Sequence, residues 1–474
     1  MKTVKILKYT GRKLESYMRM VMPLYMEHYA VMRVMQELGD SIAHGALTGV
    51  IGLTASDSVL LCLQCLKEHG LLSDACLLTV DDVANGLPVT RLKEALQGVT
   101  ERYIIIACIP QVYDVLERCG VLLEFSRAGK RLILTGETPV ILTYMAQGML
   151  KESLRLVYVL PLLYTEHQRI MTNERIATIG AYSNVDIREV YYGTDCMERY
   201  SISLVDIAEK LVKDYAHMLK WNAFAAQLAE ESHERSLSIN VICELMSRIT
   251  ILKEVKPSKR AAIRVLQRLH LLDVLYTPQT KKTMLYPVIP RLCMAYTKAD
   301  QRLIDDRFHG ALAFDQVLAL TYPASARAAF YVNTVTLARA KGYGVVQYED
   351  KAGHSIDLIV NKGNGHLLCI NLVVNLTAAQ VTKADESMSV ADDTLMHYCD
   401  EVYSCATAPI FVERLQVLGV PEYELGITPL GGVHYISLSR YLLIVERIMQ
   451  TNTLQAAGVL QPHINPQSGK LIVQ

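Results

Sequence analysis

Short apolar runs alternate with amphipathic stretches along residues 47–165 of this chain. Five of the runs have the length and character of strands, and they lie at residues 47–51, 75–80, 103–108, 131–136 and 156–163. The run at 103–108 is apolar on both faces, as a central strand of a parallel sheet is. Because strands that alternate with helices form parallel sheets, the pattern predicts an α/β domain.

A helical pattern precedes this domain, over residues 1–45. Methionines recur there at helical spacing, at Met18, Met22, Met26, Met32 and Met35. We interpret them as the core face of a helix, with an adaptable binding face as the alternative.

The pattern after the first domain is helical over residues 200–300 and mixed α/β over residues 310–445. Segments 238–245 and 258–271, followed by a hairpin at Lys281-Lys282, are typical of a winged helix-turn-helix. In the mixed region a helix is expected to end at Gly342, before strands at 344–348, 356–360 and 367–374. The predicted domains are a helical segment 1–45, an α/β domain 46–195, a helical winged-helix domain 196–305, a second α/β domain 306–450 and a loose tail 451–474.

Composition changes this outline little. The 474 residues include 48 basic and 48 acidic side chains, so the whole chain does not indicate a polyanionic partner. Eleven scattered cysteines fit a reducing compartment, and we expect the cytoplasm. The charged N-terminus predicts no secretory signal. The apolar stretch 141–164 is interrupted by Lys151, Glu152 and Arg155, so no transmembrane helix is expected.

The loop after the first strand has the position of a nucleotide-binding loop but lacks its chemistry. Such a loop needs glycines for close backbone approach, a lysine for the phosphates and a hydroxyl for magnesium. Residues 52–59 retain the first glycine, but Asp57 replaces the second glycine, Ser58 the lysine and Val59 the hydroxyl. A carboxylate in this slot would repel phosphate. The vestigial nucleotide-binding residues are then Gly52, Thr54, Ser56, Asp57 and Ser58.

The later strand ends follow the order of a known family. Ala107 and Cys108 stand where a magnesium-binding Asp-Glu pair would be, and residues 134–138 read Leu-Thr-Gly-Glu-Thr. Residues 161–166 read Pro-Leu-Leu-Tyr-Thr-Glu. This order resembles prokaryotic AAA-type P-loop ATPases that carry a C-terminal domain of unknown function. The Gly-Arg pair of that family would fall at 152–153, where Glu-Ser stands. The alternative is an unrelated doubly wound domain whose first loop begins with glycine.

A second set of residues lies in the mixed region. Nucleases of the PD-(D/E)xK type hold a metal with two carboxylates on neighbouring strands and place a lysine beside them. Here Asp357 occupies the first acidic position, Asn371 replaces the second carboxylate and Val373 replaces the lysine. Tyr331 stands near the position of a helical glutamate.

The C-terminal domain of the ATPase family resembles this region, and the chain is most similar to a branch with Ile-Gln-Val in the second strand. The matching residues are 341–343, 355–357 and 370–372, and the segment 426–443 resembles the last strand and helix of that branch. A lone carboxylate rarely holds catalytic Mg²⁺. A solvated or capping acid is therefore the favoured interpretation of Asp357 over a metal ligand.

Two further groups of residues carry weaker alternatives. Cys62, Cys65 and His69 have spacing that zinc could use, but without a second ligand pair we interpret the cysteines as core. Residues 251–285 contain eight basic and two acidic side chains, which indicates either nucleic-acid binding or a solvated helix face. The candidate nucleic-acid contacts are Lys253, Lys256, Lys259, Arg260 and Arg264.

The leading functional hypothesis is a catalytically inactive relative of the ATPase family, with an AAA-like sheet, a winged-helix middle and a nuclease-like C-terminal domain. It would act as a binding or scaffold protein, without catalytic residues, metal or cofactor. The alternatives are an ATPase that binds Mg-ATP weakly or with a partner's help, and a nucleic-acid-binding regulator. We expect a protein partner and no membrane, while the sequence leaves a homo-oligomer open.

Overall fold

The computed structural model describes the chain in several ranges. These are residues 6–21, 29–45, 47–51, 55–80, 89–107, 115–136, 142–143, 145–146, 150–158, 163–165, 250–252, 263, 267, 272–277, 282–288, 323–374, 380–389, 411–419, 424–425 and 429–473. No helix within them is long and apolar enough to cross a membrane.

The first part of the chain forms a six-stranded sheet, which confirms the predicted α/β class. Its strands in spatial order are β1 (Ile6–Thr10), β3 (Ala75–Val80), β4 (Tyr103–Ile106), β5 (Arg131–Gly136), β2 (Leu47–Ile51) and β6 (Leu154–Tyr158). All neighbouring pairs are parallel except β1 with β3. Because β5 lies between β2 and β4, the loop after β2 begins beside the end of β5, where Ile51 is opposite Gly136.

Helices cover both faces of this sheet. They are α1 (Gly11–Val21), α2 (Tyr29–His44), α3 (Ala55–Glu68), α4 (Val89–Gln97) and α5 (Val115–Arg127). The first three helices pack with Ile105 of β4 in one core, and the last two pack with Ile104 and Ile106 in another. The central strand is therefore buried on both faces, as its apolar sequence requires.

The prediction of helix throughout residues 1–45 is wrong at Ile6–Thr10, which form the edge strand β1. The mixed pattern of this five-residue segment does not identify a strand, and its backbone pairs with β3 over its whole length. Ile6 and Tyr9 then pack on opposite faces of the sheet. Met18 is buried in the core, as predicted, while the side chains of the other four methionines lie outside the described residues.

A three-stranded antiparallel sheet follows, in the order β7 (Thr250–Leu252), β9 (Lys282–Pro287), β8 (Leu272–Thr277). The predicted hairpin at Lys281-Lys282 is therefore present as the β8–β9 pair. Segments 238–245 and 258–271 lie outside the described residues except at Ile263 and Gln267, which are helical. The winged helix as a whole stays a prediction.

The second α/β region forms a five-stranded mixed sheet. In spatial order its strands are β10 (Gly344–Glu349), β11 (Ser355–Gly363), β12 (His366–Val373), β13 (Phe411–Leu418) and β15 (Val433–Ser437). The first three are antiparallel and the last three parallel. Helix α6 (Pro323–Ala340) and the final helix, α8 (Leu438–Gln450), pack on one face, and helix α7 (380–389) packs on the other. The predicted helix end is confirmed by Gly342, whose φ is 75°.

The prediction of a loose tail is wrong for residues 451–473. Strand β17 (Leu471–Ile472) pairs with both β14 (Glu424–Leu425) and β16 (His463–Ile464). Leu471 and Val473 are buried in the core under α7, and Leu454 and Val459 are buried beside α8. These apolar residues are too widely spaced to predict an element, and their burial depends on contacts with the two helices.

The first and last units meet at α6. Leu163 and Tyr164, which follow β6, are buried in the same core as α6 and α8. The Tyr164 backbone N–H donates to the Asn333 side-chain oxygen at 2.9 Å. Asn333 is fully buried, so this hydrogen bond is shielded from water.

Candidate functional site

The position predicted for a nucleotide-binding loop is partly described. Gly52 and Thr54 lie outside the described residues, and Ser56 and Asp57 lie in the first turn of α3. Ser58, at the lysine position, is fully buried, and its hydroxyl has no hydrogen-bond partner among the described residues. A side chain directed into the core is unavailable to a phosphate.

The strand ends beside this loop carry no charge in the described residues. Ala107, at the first acidic position, is buried and donates its N–H to the Leu78 carbonyl at 2.9 Å. Thr135, at the end of β5, is buried and donates its hydroxyl to the Ile106 carbonyl at 3.4 Å. Cys108 lies outside the described residues.

Cys62 and Cys65 lie in the core between α3 and the sheet, as predicted. Burial raises the pKa of Cys65 to about 12 and that of Cys62 further, so both remain thiols at neutral pH. The His69 ring is hydrogen-bonded to the Cys65 carbonyl, 2.8 Å away. In the described residues no group of three or more His, Cys, Asp or Glu side chains could hold a metal ion.

A cavity of about 250 Å³ opens where β11 and β12 meet helices α6 and α7. It contains the two positions that the sequence singled out, Asp357 and Asn371, together with Val373. The remaining lining residues are Arg327, Ser355, Leu372, Val374, Gln380, Lys383, Ala384 and Ser387. Asp357 is the only carboxylate among these lining residues.

Both carboxylate oxygens of Asp357 already accept hydrogen bonds from the protein. The Tyr331 hydroxyl donates to Oδ1 at 2.8 Å, and the Leu372 backbone N–H donates to Oδ2 at 2.7 Å. Burial, followed by the neighbouring Asp357 charge, holds the pKa of Tyr331 well above its usual range. The phenol is therefore a neutral hydrogen-bond donor to Asp357, and the lining of this cavity contains no second acid with which Asp357 could share a metal ion.

The side chain of Asn371 extends the backbone pairing between β11 and β12. Its Oδ1 accepts the Asp357 backbone N–H at 2.8 Å, and its Nδ2 donates to the Ser355 carbonyl at 3.3 Å. The amide oxygen thus has a structural partner, and an amide carries no charge to hold a cation. Asn371 positions Asp357 and does not supply a second carboxylate.

A row of polar side chains continues from the cavity across the sheet. Asn371 lies opposite Gln416, and Gln416 lies opposite Tyr435. The Gln416 amide and the Tyr435 hydroxyl both donate to Asp385 of α7, at 2.9 Å each. Burial raises the pKa of Asp385. This network anchors α7 and so sets one wall of the cavity.

Sequence reasoning missed two cationic side chains that line the cavity. Lys383 comes from α7, twelve positions after Asn371, and Arg327 comes from α6, one helical turn before Tyr331. The i, i+4 spacing of Arg327 and Tyr331 places them on one helix face. That spacing could have identified Arg327, whereas nothing local distinguishes Lys383.

The candidate nucleic-acid contacts Lys253, Lys256, Lys259, Arg260 and Arg264 all lie outside the described residues. Lys282, from the same basic segment, forms an ion pair with Glu349 at 2.7 Å, and both side chains are 17% exposed. One of the eight basic residues of segment 251–285 is therefore paired with Glu349 in β10 of the five-stranded sheet.

No protein-family model and no curated protein matches the chain.

Proposed function

We propose that the protein is a catalytically inactive relative of the AAA-type ATPases with a nuclease-like C-terminal domain, and that it acts by binding. The observation that carries this proposal is the state of Asp357. Its two oxygens accept from Tyr331 and Leu372, and its neighbour on β12 is an amide. Metal-assisted hydrolysis needs an open coordination site that activates water, and this arrangement provides too few ligands for one.

The first unit supports the same proposal. A buried serine, Ser58, stands where a lysine would neutralise phosphates, and Ala107 stands where a carboxylate would hold magnesium. Strands β4, β5 and β2 are neighbours and parallel, so their carboxyl ends lie at one edge of the sheet. In an ATPase of this type, the nucleotide-binding loop, the acidic strand end and the strand end that senses the γ-phosphate would meet at that edge. A fold retained without its charged groups is suited to an interaction role, and we expect a protein partner in the cytoplasm.

Nucleic-acid binding through the predicted winged helix is the second candidate. The antiparallel β8–β9 hairpin has the form of a wing and supports it. The ion pair of Lys282 with Glu349 weakens it, because that charge is already neutralised within the chain.

We expect no metal-dependent DNA cleavage from the full chain. Supercoiled plasmid should remain intact with Mg²⁺ or Mn²⁺, because Asp357 has neither a second carboxylate nor a conventional lysine beside it. Asp357→Ala and Asp350→Ala provide matched variants, the second outside the cavity. Nicking by the wild type and by Asp350→Ala that disappears in Asp357→Ala would show an active site and overturn the proposal.

Binding of Mg-ATP is expected to be weak or undetectable by calorimetry. The reason is the buried Ser58 and the uncharged Ala107 beside the loop, since phosphate recognition depends on a lysine and a held magnesium ion. A dissociation constant in the low micromolar range that is lost in Gly52→Trp would contradict this and favour the ATP-binding alternative.

A further inference from the structure

The cavity beside Asp357 has a positive excess that the other described residues do not neutralise. Its lining contains the Arg327 guanidinium, the Lys383 ammonium and the single carboxylate of Asp357. Within the described part of the chain, neither cation has an acidic side chain within 4.0 Å, whereas Arg339 and Lys282, outside the cavity, each have one. Two cations that share a cavity without acidic partners are suited to an anion.

Asp357 offsets only part of this charge, because one carboxylate stands against two cations, and the fold fixes the position of that carboxylate in the cavity wall. Tyr331 and Leu372 donate to its two oxygens at 2.8 and 2.7 Å. A carboxylate has about four acceptor sites, so each oxygen can still accept one donor from within the cavity. The site therefore offers two cationic donors and a fixed acceptor.

We propose that this cavity binds a phosphate monoester directly through Arg327 and Lys383, without a metal ion, while Asp357 accepts a hydroxyl group of the same ligand. A phosphate monoester carries about two negative charges at neutral pH, which the two cations match. Arginine binds phosphate with two parallel hydrogen bonds and lysine as a point charge. The inference rests on the proposed function, because a ligand held without a metal is bound and not hydrolysed.

The size of the cavity favours a small ligand. Its volume of about 250 Å³ greatly exceeds the roughly 30 Å³ that one water takes in the liquid, and it suits a sugar phosphate. The same chemistry exists at the 5′-phosphate end of a nucleic acid, where one terminal nucleotide would enter. Ser355, Gln380 and Ser387 add polar side chains to the lining of the cavity.

The test is calorimetry on the full chain in EDTA, with ribose 5-phosphate and inorganic phosphate as probes. A 5′-phosphorylated oligonucleotide and its 5′-hydroxyl form distinguish the two sources of the group. The variants are Arg327→Gln, Lys383→Gln, their combination and Asp357→Asn, with Lys351→Gln as a control that removes an exposed lysine outside the cavity. Circular dichroism confirms that each variant is folded.

Each cation variant should weaken ribose 5-phosphate binding by about tenfold, and the double variant should abolish it, while Lys351→Gln stays as wild type. Asp357→Asn should bind inorganic phosphate as well as or better than wild type, since it removes a like charge, but should lose its preference for ribose 5-phosphate. A metal site would behave oppositely and lose all binding in EDTA and in Asp357→Asn.

Tighter binding of the 5′-phosphorylated oligonucleotide than of its 5′-hydroxyl form identifies a nucleic-acid end as the ligand. Binding of ribose 5-phosphate but of neither oligonucleotide identifies a free sugar phosphate. The inference is overturned if wild type binds none of the probes, if binding needs a divalent ion, or if the double variant binds normally. None of these results involves DNA cleavage, so the inference can fail while the proposed function stands.

Discussion

Asn333→Leu is expected to lower the free energy of unfolding by about 2–3 kcal/mol. The side chain is fully buried, accepts the Tyr164 N–H at 2.9 Å and donates to the Ala329 carbonyl at 2.7 Å. Leucine is similar in volume but cannot hydrogen-bond, so a buried N–H at the junction between the two α/β units loses its partner. Urea unfolding measures the loss, and hydrogen exchange of the peptide that contains Tyr164 locates it.

Thr334→Val is the matched control for this variant. Thr334 is equally buried on the same helix, but its hydroxyl bonds to the Phe330 carbonyl and to Tyr441, both within the C-terminal unit. It should destabilise by about 1 kcal/mol and leave the exchange of Tyr164 close to wild type. Equal exchange of Tyr164 in both variants would mean that Asn333 does not join the two units.

We expect Gly45→Ala to destabilise the first unit by about 1–3 kcal/mol. A Cβ at Gly45 would lie 2.5 Å from the Ser41 carbonyl oxygen, which already accepts the Gly45 N–H at 2.7 Å. The clash is with backbone, so no side-chain rotation relieves it. The Gly45 carbonyl also accepts from Arg131 at 2.8 Å, and this contact ties the end of α2 to β5.

Gly120→Ala should have the opposite sign, and urea unfolding of both variants gives the comparison. Gly120 lies inside α5, and nothing stands within 4 Å of its added Cβ. Alanine there should stabilise the helix by about 0.5–1 kcal/mol. If Gly45→Ala were as stable as wild type, the Ser41 carbonyl would lie farther from Gly45 than it does in the structure.

The first sheet was predictable where a strand is apolar on both faces. Tyr103–Ile106 and Arg131–Gly136 appear at the predicted places because burial on both sides leaves a continuous apolar run. Edge strand β1 was missed, since an edge strand has a mixed pattern and takes its geometry from a partner about 70 residues away in the chain. The C-terminal residues were missed for the same reason.

The candidate site was predictable only along its strands. Asp357 and Asn371 are adjacent because Leu358 lies opposite Ile370 in a hairpin, a pairing that short strands separated by a turn indicate. Tyr331 was placed on the preceding helix, and its hydroxyl does reach Asp357. Lys383 could not be predicted, because its position in the cavity depends on how α7 packs across the sheet.

The sequence by itself determined the α/β class, the order of the main strands along the chain and the uncharged side chains at Ser58, Ala107, Asn371 and Val373. These are local properties, since a buried strand is recognised from its own run of apolar residues and each side chain is given directly by the sequence. Only the tertiary structure decided the rest: that Ser58 is buried, that Tyr331 and Leu372 donate to the oxygens of Asp357, and that Arg327 and Lys383 line one cavity. Those features depend on contacts between elements distant in the chain, which packing and not local pattern determines.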